Sequence, residues 1–145
     1  MARKLITVKA DEDIYDAVSK LLKHKISGAP VVGEGKRLEG ILSEKDCIRE
    51  LVRGFYEQIP ALTVGDAMTR KVASIDENTD LLTIADLFIK NSFRRVPVVD
   101  GERLVGQISR SDLLKAISKV LSDHPHHEAA GLYLSALSNS RDRAV

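Results

Sequence analysis

The sequence predicts a mixed α/β fold, an α+β sandwich of two β-α-β-β-α units related by a pseudo-twofold axis and packed as one module. Three observations carry the prediction: an internal duplication, an aspartate followed by a helix-period apolar stripe in each copy, and a Pro-Val-Val run leading into a hairpin in each copy. Met1-Ala2-Arg3-Lys4-Leu5-Ile6-Thr7-Val8 returns 67 positions later as Met68-Thr69-Arg70-Lys71-Val72-Ala73-Ser74-Ile75. Pro30-Val31-Val32 returns at the same offset as Pro97-Val98-Val99. The stretch from Gly35 to Asp46 returns from Gly101 to Asp112, now at an offset of 66. The slip falls in the turn, Gly33-Glu34-Gly35 against Asp100-Gly101, where an insertion is tolerated. Such self-similarity means two copies of one supersecondary unit. Each copy, at roughly 60 residues, would be marginal alone, so the two are expected to share one core.

The elements follow in order. Leu5 to Val8 is a short strand. Asp13 stands at a helix N-cap, and Ile14, Ala17, Val18, Leu21 and Leu22 follow at the spacing that lines one helix face. Asp80 repeats the cap, with Leu81, Ile84, Ala85, Phe88 and Ile89 behind it. Pro30-Val31-Val32, a Gly-containing turn and Leu38-Glu39-Gly40-Ile41-Leu42 read as a β-hairpin; its counterpart turns on Asp100-Gly101, a strong hairpin signal. The prolines are placed at the first residue of their strands, where a missing N–H is tolerated. Gly40 and Gly106 read as close-packing or bulge positions. A second helix runs from Asp46 to about Tyr56, and again from Asp112 to about Leu121. The chain therefore divides into a first repeat over 2–58, a second over 59–121, and a tail over 122–145 that is mobile or carries a short docked helix.

Composition narrows the function. The chain has 145 residues and a net charge of +1 with both signs interspersed, so it lacks the basic stripe of a nucleic-acid surface. No apolar run reaches the ~20 residues of a membrane span, and the N-terminal residues lack the apolar core of a signal peptide. A single cysteine, Cys47, excludes an internal disulfide. A soluble cytoplasmic protein is expected, with no nucleic-acid or membrane partner. No nucleophile–base set appears in duplicate and no Walker-type loop is present, which argues against an enzyme and against a catalytic cofactor or metal.

Ser43-Glu44-Lys45-Asp46 and Ser109-Arg110-Ser111-Asp112 each lead from the hairpin into the second helix. A Ser with an acid three residues on is close to a capping box, which satisfies the orphan N–H groups of a helix start. The same geometry can bind a ligand: the carboxylate accepts two ribose hydroxyls while the Ser hydroxyl and helix N–H groups face a phosphate. Capping and binding can coexist. Cys47 reads as a small apolar packing residue. His124, His126 and His127, beside Asp123 and Glu128, are the remaining group that could hold a metal.

The ordered set Asp66-Ala67-Met68-Thr69, the helix leading to Phe93, Arg95-Val96-Pro97-Val98-Val99-Asp100 and Gly106-x-Ile108-Ser109-x-x-Asp112 strongly resembles a CBS (cystathionine β-synthase) domain. Across both copies, over nearly all of residues 2–121, the chain resembles a tandem CBS pair, or Bateman module, of the stand-alone bacterial and archaeal type. The resemblance implies regulatory binding of an adenosine nucleotide (AMP, ADP or ATP) in clefts between the repeats. In the second-copy cleft it places Ser109 and Asp112 on the ribose side, Lys4, Ile6, Ile26 and Ser27 of the opposite repeat at the base, and Arg94 and Arg95 at the phosphate. In the first-copy cleft it places Ser43 and Asp46 with Lys71, Ala73, Phe93 and Arg94. Gly28 stands at the position matching Arg95, so this cleft must draw its cation from Lys45, a point charge rather than a planar fork, and is expected to be the weaker. The resemblance further implies a disc-like homodimer formed through the flanking helices. Signalling would pass to a separate protein partner acting in trans. The alternative is a structural protein-interaction or dimerisation module that binds no nucleotide.

Overall fold

The computed structural model describes residues 1–60 and 62–123. Asp13 and Asp80 lie in extended backbone and open two matching helices, α1 (Ile14–His24) and α4 (Leu81–Lys90). Asp13 accepts the Tyr15 N–H at 2.7 Å, and Asp80 accepts the Thr83 N–H at 2.9 Å. The apolar stripes face inward as expected, except at their last positions. Leu22 is 68% exposed and Ile89 47%. Eight residues at about 100° each carry these side chains about 80° from the first residue of the stripe, beyond the edge of the buried face.

Each repeat then forms its hairpin: β1 (Gly28–Val32) with β2 (Leu38–Ser43), and β4 (Arg95–Asp100) with β5 (Arg103–Ser109). Gly101 adopts φ +63° at the second turn, a backbone conformation that favours glycine. The extra residue of the first turn sits in a 3₁₀ turn over Glu34–Lys36. Both hairpins carry a bulge at the same place, between Val31 and Val32 and between Val98 and Val99.

The two prolines are not first in their strands but third, and this explains a second departure. The expected Leu5–Val8 strand is reduced to one pairing residue, Val8, whose N–H donates to the Pro30 carbonyl at 3.0 Å. The Val32 N–H returns to the Val8 carbonyl at 2.9 Å. Pro30 therefore turns toward the Leu5–Val8 segment but has no N–H to extend the ladder. In the second repeat Ile75 meets Val98 in the same register, and β3 (Ile75–Asp76) is likewise a stub.

The second helices start earlier and end later than the sequence predicts: α2 spans Glu44–Glu57 and α5 Arg110–Asp123. A four-residue helix, α3 (Val64–Ala67), joins the repeats. The rest of the expected tail, with its three histidines, lies outside the described residues.

The expected single core is instead two. The first gathers Val8, Ile14, Ala17, Leu21, Ala29, Val31, Leu42 and Cys47, and is completed by Leu62, Val64, Ala67 and Met68 of the connector. The second is built from Ile75, Ile84, Ala85, Phe88, Val96, Val98 and Leu113. Backbone pairing joins the repeats. Ala2 exchanges two hydrogen bonds with Gln107 (3.1 and 3.0 Å), and Thr69 exchanges two with Ile41 (both 2.9 Å). These are the same pair of positions in the two copies, so the N-terminal segment of each repeat lies on the hairpin of the other. Gly40 permits the approach, since a Cβ there would fall 2.5 Å from the Thr69 carbonyl oxygen.

Three capping carboxylates are held below their usual pKa, chiefly by backbone N–H donors: Thr63 for Asp66, Thr83 for Asp80 and Ser109 for Asp112. Their stabilisation is fully present above the unfolded value of about 3.9 and is lost as pH falls through the lower folded values. Melting temperature should hold constant down to about pH 5 and drop below about pH 4. Asp80→Asn, which caps without titrating, should make that drop shallower; an unchanged acid limb would refute the assignment.

Candidate functional site

Strand β5 delivers Ser109 to the start of α5, where its side chain and that of Asp112 bond reciprocally. The Ser109 N–H donates to Asp112 Oδ2 at 2.9 Å, and the Asp112 N–H donates to Ser109 Oγ at 3.1 Å. This is the capping geometry read from the sequence, and it leaves Oδ1 of Asp112 without a side-chain donor among the described residues. Asp112, with its pKa lowered by the Ser109 N–H, is a carboxylate throughout the neutral range.

A cleft of about 320 Å³ opens beside this pair, at the lower end of the range for small-molecule sites. The crossing N-terminal segment supplies Ala2, Lys4, Leu5 and Ile6, the approach to β1 supplies Ile26, and β1 itself supplies its first residue, Gly28. The second repeat supplies Arg95, Gln107, Ser109 and Asp112. Six expected residues thus meet around one cavity: Lys4, Ile6, Ile26, Arg95, Ser109 and Asp112. An apolar wall of Leu5, Ile6 and Ile26 stands near an ionised carboxylate, with Lys4 and Arg95 as the cations of the lining. The arrangement suits a flat ring, a hydroxyl pair and an anionic end.

Ser27 and Arg94 are not in this lining. Their carbonyls accept the first helical N–H groups instead, Ser27 from Glu44 at 2.9 Å and Arg94 from Arg110 at 3.2 Å. They anchor the two helices that carry the aspartates. Ala2, Leu5, Gly28 and Gln107 were missed by sequence reasoning. The signal for Ala2 and Gln107 was the duplication itself, because they pair across repeats as Thr69 and Ile41 do.

The first-copy residues are arranged differently. Asp46 is 4% exposed and accepts from the Ser43 N–H at 3.1 Å, Arg49 at 3.2 Å and the Thr69 hydroxyl at 3.3 Å. Lys45 and Lys71 are exposed, Ser43 and Ala73 half-buried, and Phe93 packs against the second core. Cys47 is buried, and burial followed by Asp46 and Glu44 pushes its thiol pKa up, in keeping with a packing role.

Two hairpin-bearing repeats that exchange their N-terminal segments, each with a Ser-x-x-Asp pair at a helix start and with a cleft between the repeats beside the second pair, define a tandem-repeat module. The CBS domain family model matches residues 1–53 and 64–119, and the chain belongs to that family. MJ1225 of Methanocaldococcus jannaschii is 33% identical over 117 residues, which are 81% of this chain and 41% of that protein. The chain therefore spans less than half the length of that relative. The crystal structure of CBSX2 in complex with AMP superposes with a TM-score of 0.69 at 30% identity, covering 81% of this chain and 90% of that one. The CBS domain pair of MJ0100, in complex with 5'-methylthioadenosine and S-adenosyl-L-methionine, superposes with a TM-score of 0.66 at 28% identity, covering 82% and 92%. No catalytic family is indicated. Among the described residues no helix is long and apolar enough to cross a membrane, and no His, Cys, Asp and Glu group has metal-site geometry.

Proposed function

We propose that this chain is a non-catalytic regulatory sensor that binds an adenosine nucleotide between its repeats and signals to a separate protein. The observation that carries the reading is the second-copy cleft, where an ionised Asp112 with an unengaged oxygen, two cations and an apolar wall share one cavity. The adenine lies on Leu5, Ile6 and Ile26, the ribose diol donates to Asp112, and Arg95 with Lys4 meets the phosphate. The AMP and S-adenosyl-L-methionine complexes of CBSX2 and MJ0100 support an adenosine-type ligand. AMP, ADP or ATP is the ligand class, and the cytoplasm, where these nucleotides report energy state, is the site of action. Nucleotide in the cleft changes the angle between repeats and so a surface that a partner reads.

The functional unit is a homodimer. Exposed apolar side chains recur at matching positions of the two repeats: Tyr15 with Leu82, Leu22 with Ile89, and Ile48 with Leu114. Light scattering at micromolar concentration should give twice the chain mass, and a monomer with and without nucleotide would refute this. The same surface also favours the second reading, an interaction module without nucleotide. Thermal melting with AMP, ADP, ATP, NADH and S-adenosylmethionine separates the two. A ligand at 100 times its dissociation constant stabilises the fold by about 2.7 kcal/mol. A melting temperature unmoved by all five would leave the interaction module.

A further inference from the structure

Asp46 and Asp112 hold the same position in the two repeats and the same capping bonds, yet one is buried and multiply bonded while the other faces a cleft. Two sequence differences account for this. The position that is Thr69 in the second repeat is Ala2 in the first, and the position that is Arg49 on α2 is Lys115 on α5. Because the N-terminal segments cross, Thr69 lies over Asp46 and Ala2 lies beside Asp112. Thr69 is held there by its two backbone bonds to Ile41, as Ala2 is by its two to Gln107. The methyl of Ala2 offers Asp112 nothing. The hydroxyl of Thr69 reaches both oxygens of Asp46, at 3.3 and 3.5 Å.

We infer that Thr69 and Arg49 occupy Asp46 in place of the two ligand hydroxyls, closing the first cleft, and that these two positions set the binding stoichiometry at one nucleotide per chain. The inference rests on the nucleotide reading above. A carboxylate has about four acceptor positions. Asp46 has committed Oδ2 to the Ser43 N–H and the Thr69 hydroxyl, and Oδ1 to Arg49. A ribose diol must displace the guanidinium, a charge-assisted bond, and would leave a buried carboxylate short of its partner. Lys115 makes no ion pair with Asp112 among the described residues, so the second cleft carries neither obstacle.

Exchanging the two positions between repeats tests this. Calorimetry with AMP on the full chain should give one site in the wild type and two in Thr69→Ala/Arg49→Lys. Ala2→Thr/Lys115→Arg should weaken the wild-type site at least tenfold. Thr69→Ala alone serves if the double variant melts too low, and Thr69→Ser, which keeps the hydroxyl, should behave as the wild type. Two sites in the wild type would overturn the inference, as would no second site after Thr69 and Arg49 are replaced, or unchanged affinity after Ala2 and Lys115 are replaced. A wild type that binds no AMP sinks the nucleotide reading instead. The stoichiometry of one per chain falls with it, and only the blocking of Asp46 by Thr69 and Arg49 is then judged: a site created by replacing them upholds it, and no site overturns it.

Discussion

Arg95→Ala is expected to weaken AMP binding by about 1.5–3 kcal/mol, the usual range for a hydrogen bond to a charged group, while leaving adenosine binding almost unchanged. Arg95 heads strand β4 and is the one arginine in the cleft lining. Its planar fork matches two phosphate oxygens, and such charge-assisted bonds are roughly twice as strong as neutral ones. Adenosine has no phosphate and so loses nothing. Asp112→Ala should weaken both ligands, because both carry the diol. Asp46→Ala should cost less AMP affinity than Asp112→Ala. Calorimetry showing Arg95→Ala harming adenosine as much as AMP, or the two aspartates in reverse order, would mean that the clefts are wrongly assigned.

Leu42→Ala is expected to lower the free energy of unfolding by about 2–5 kcal/mol. Leu42 is fully buried in the first core, on the strand that runs into Ser43. Removing its isobutyl group forfeits the transfer energy and leaves a cavity that the surrounding core relaxes to fill only in part. Ile41→Ala, one residue earlier on the same strand and half-buried, should cost less. Urea denaturation of the two variants decides it: equal midpoints would mean that the first core does not close around Leu42.

Much of this architecture was legible because it was written twice. The caps Asp13 and Asp80, the hairpins and the Ser-x-x-Asp helix starts depend on neighbours within a few residues, and each copy corroborated the other. The stub strands were not legible, because the loss depends on which way Pro30 and Pro97 face in a ladder whose partner is distant in sequence. The same applies to Ser27 and Arg94. Their side chains attracted attention by resemblance, while the structure uses their carbonyls. The cleft residues Ala2 and Gln107 needed the knowledge that the N-terminal segments cross. The contrast between Thr69 and Ala2 was visible in the alignment of the copies but carried no meaning until Asp46 lay beneath one and Asp112 beside the other.

The connector has a consequence for how the chain comes together as it is made. Leu62, Val64, Ala67 and Met68 close the first core, yet Met68 also opens the copied motif of the second repeat. The leading half of the nascent chain therefore stays incomplete until its successor has begun to emerge. By then Thr69 follows directly, ready to pair with Ile41. Residues 62–68 thus act as a hand-over: one half cannot finish without bringing Thr69, at the head of the other, beside Ile41, so the crossed pairing is favoured before the second half has a core with which to compete.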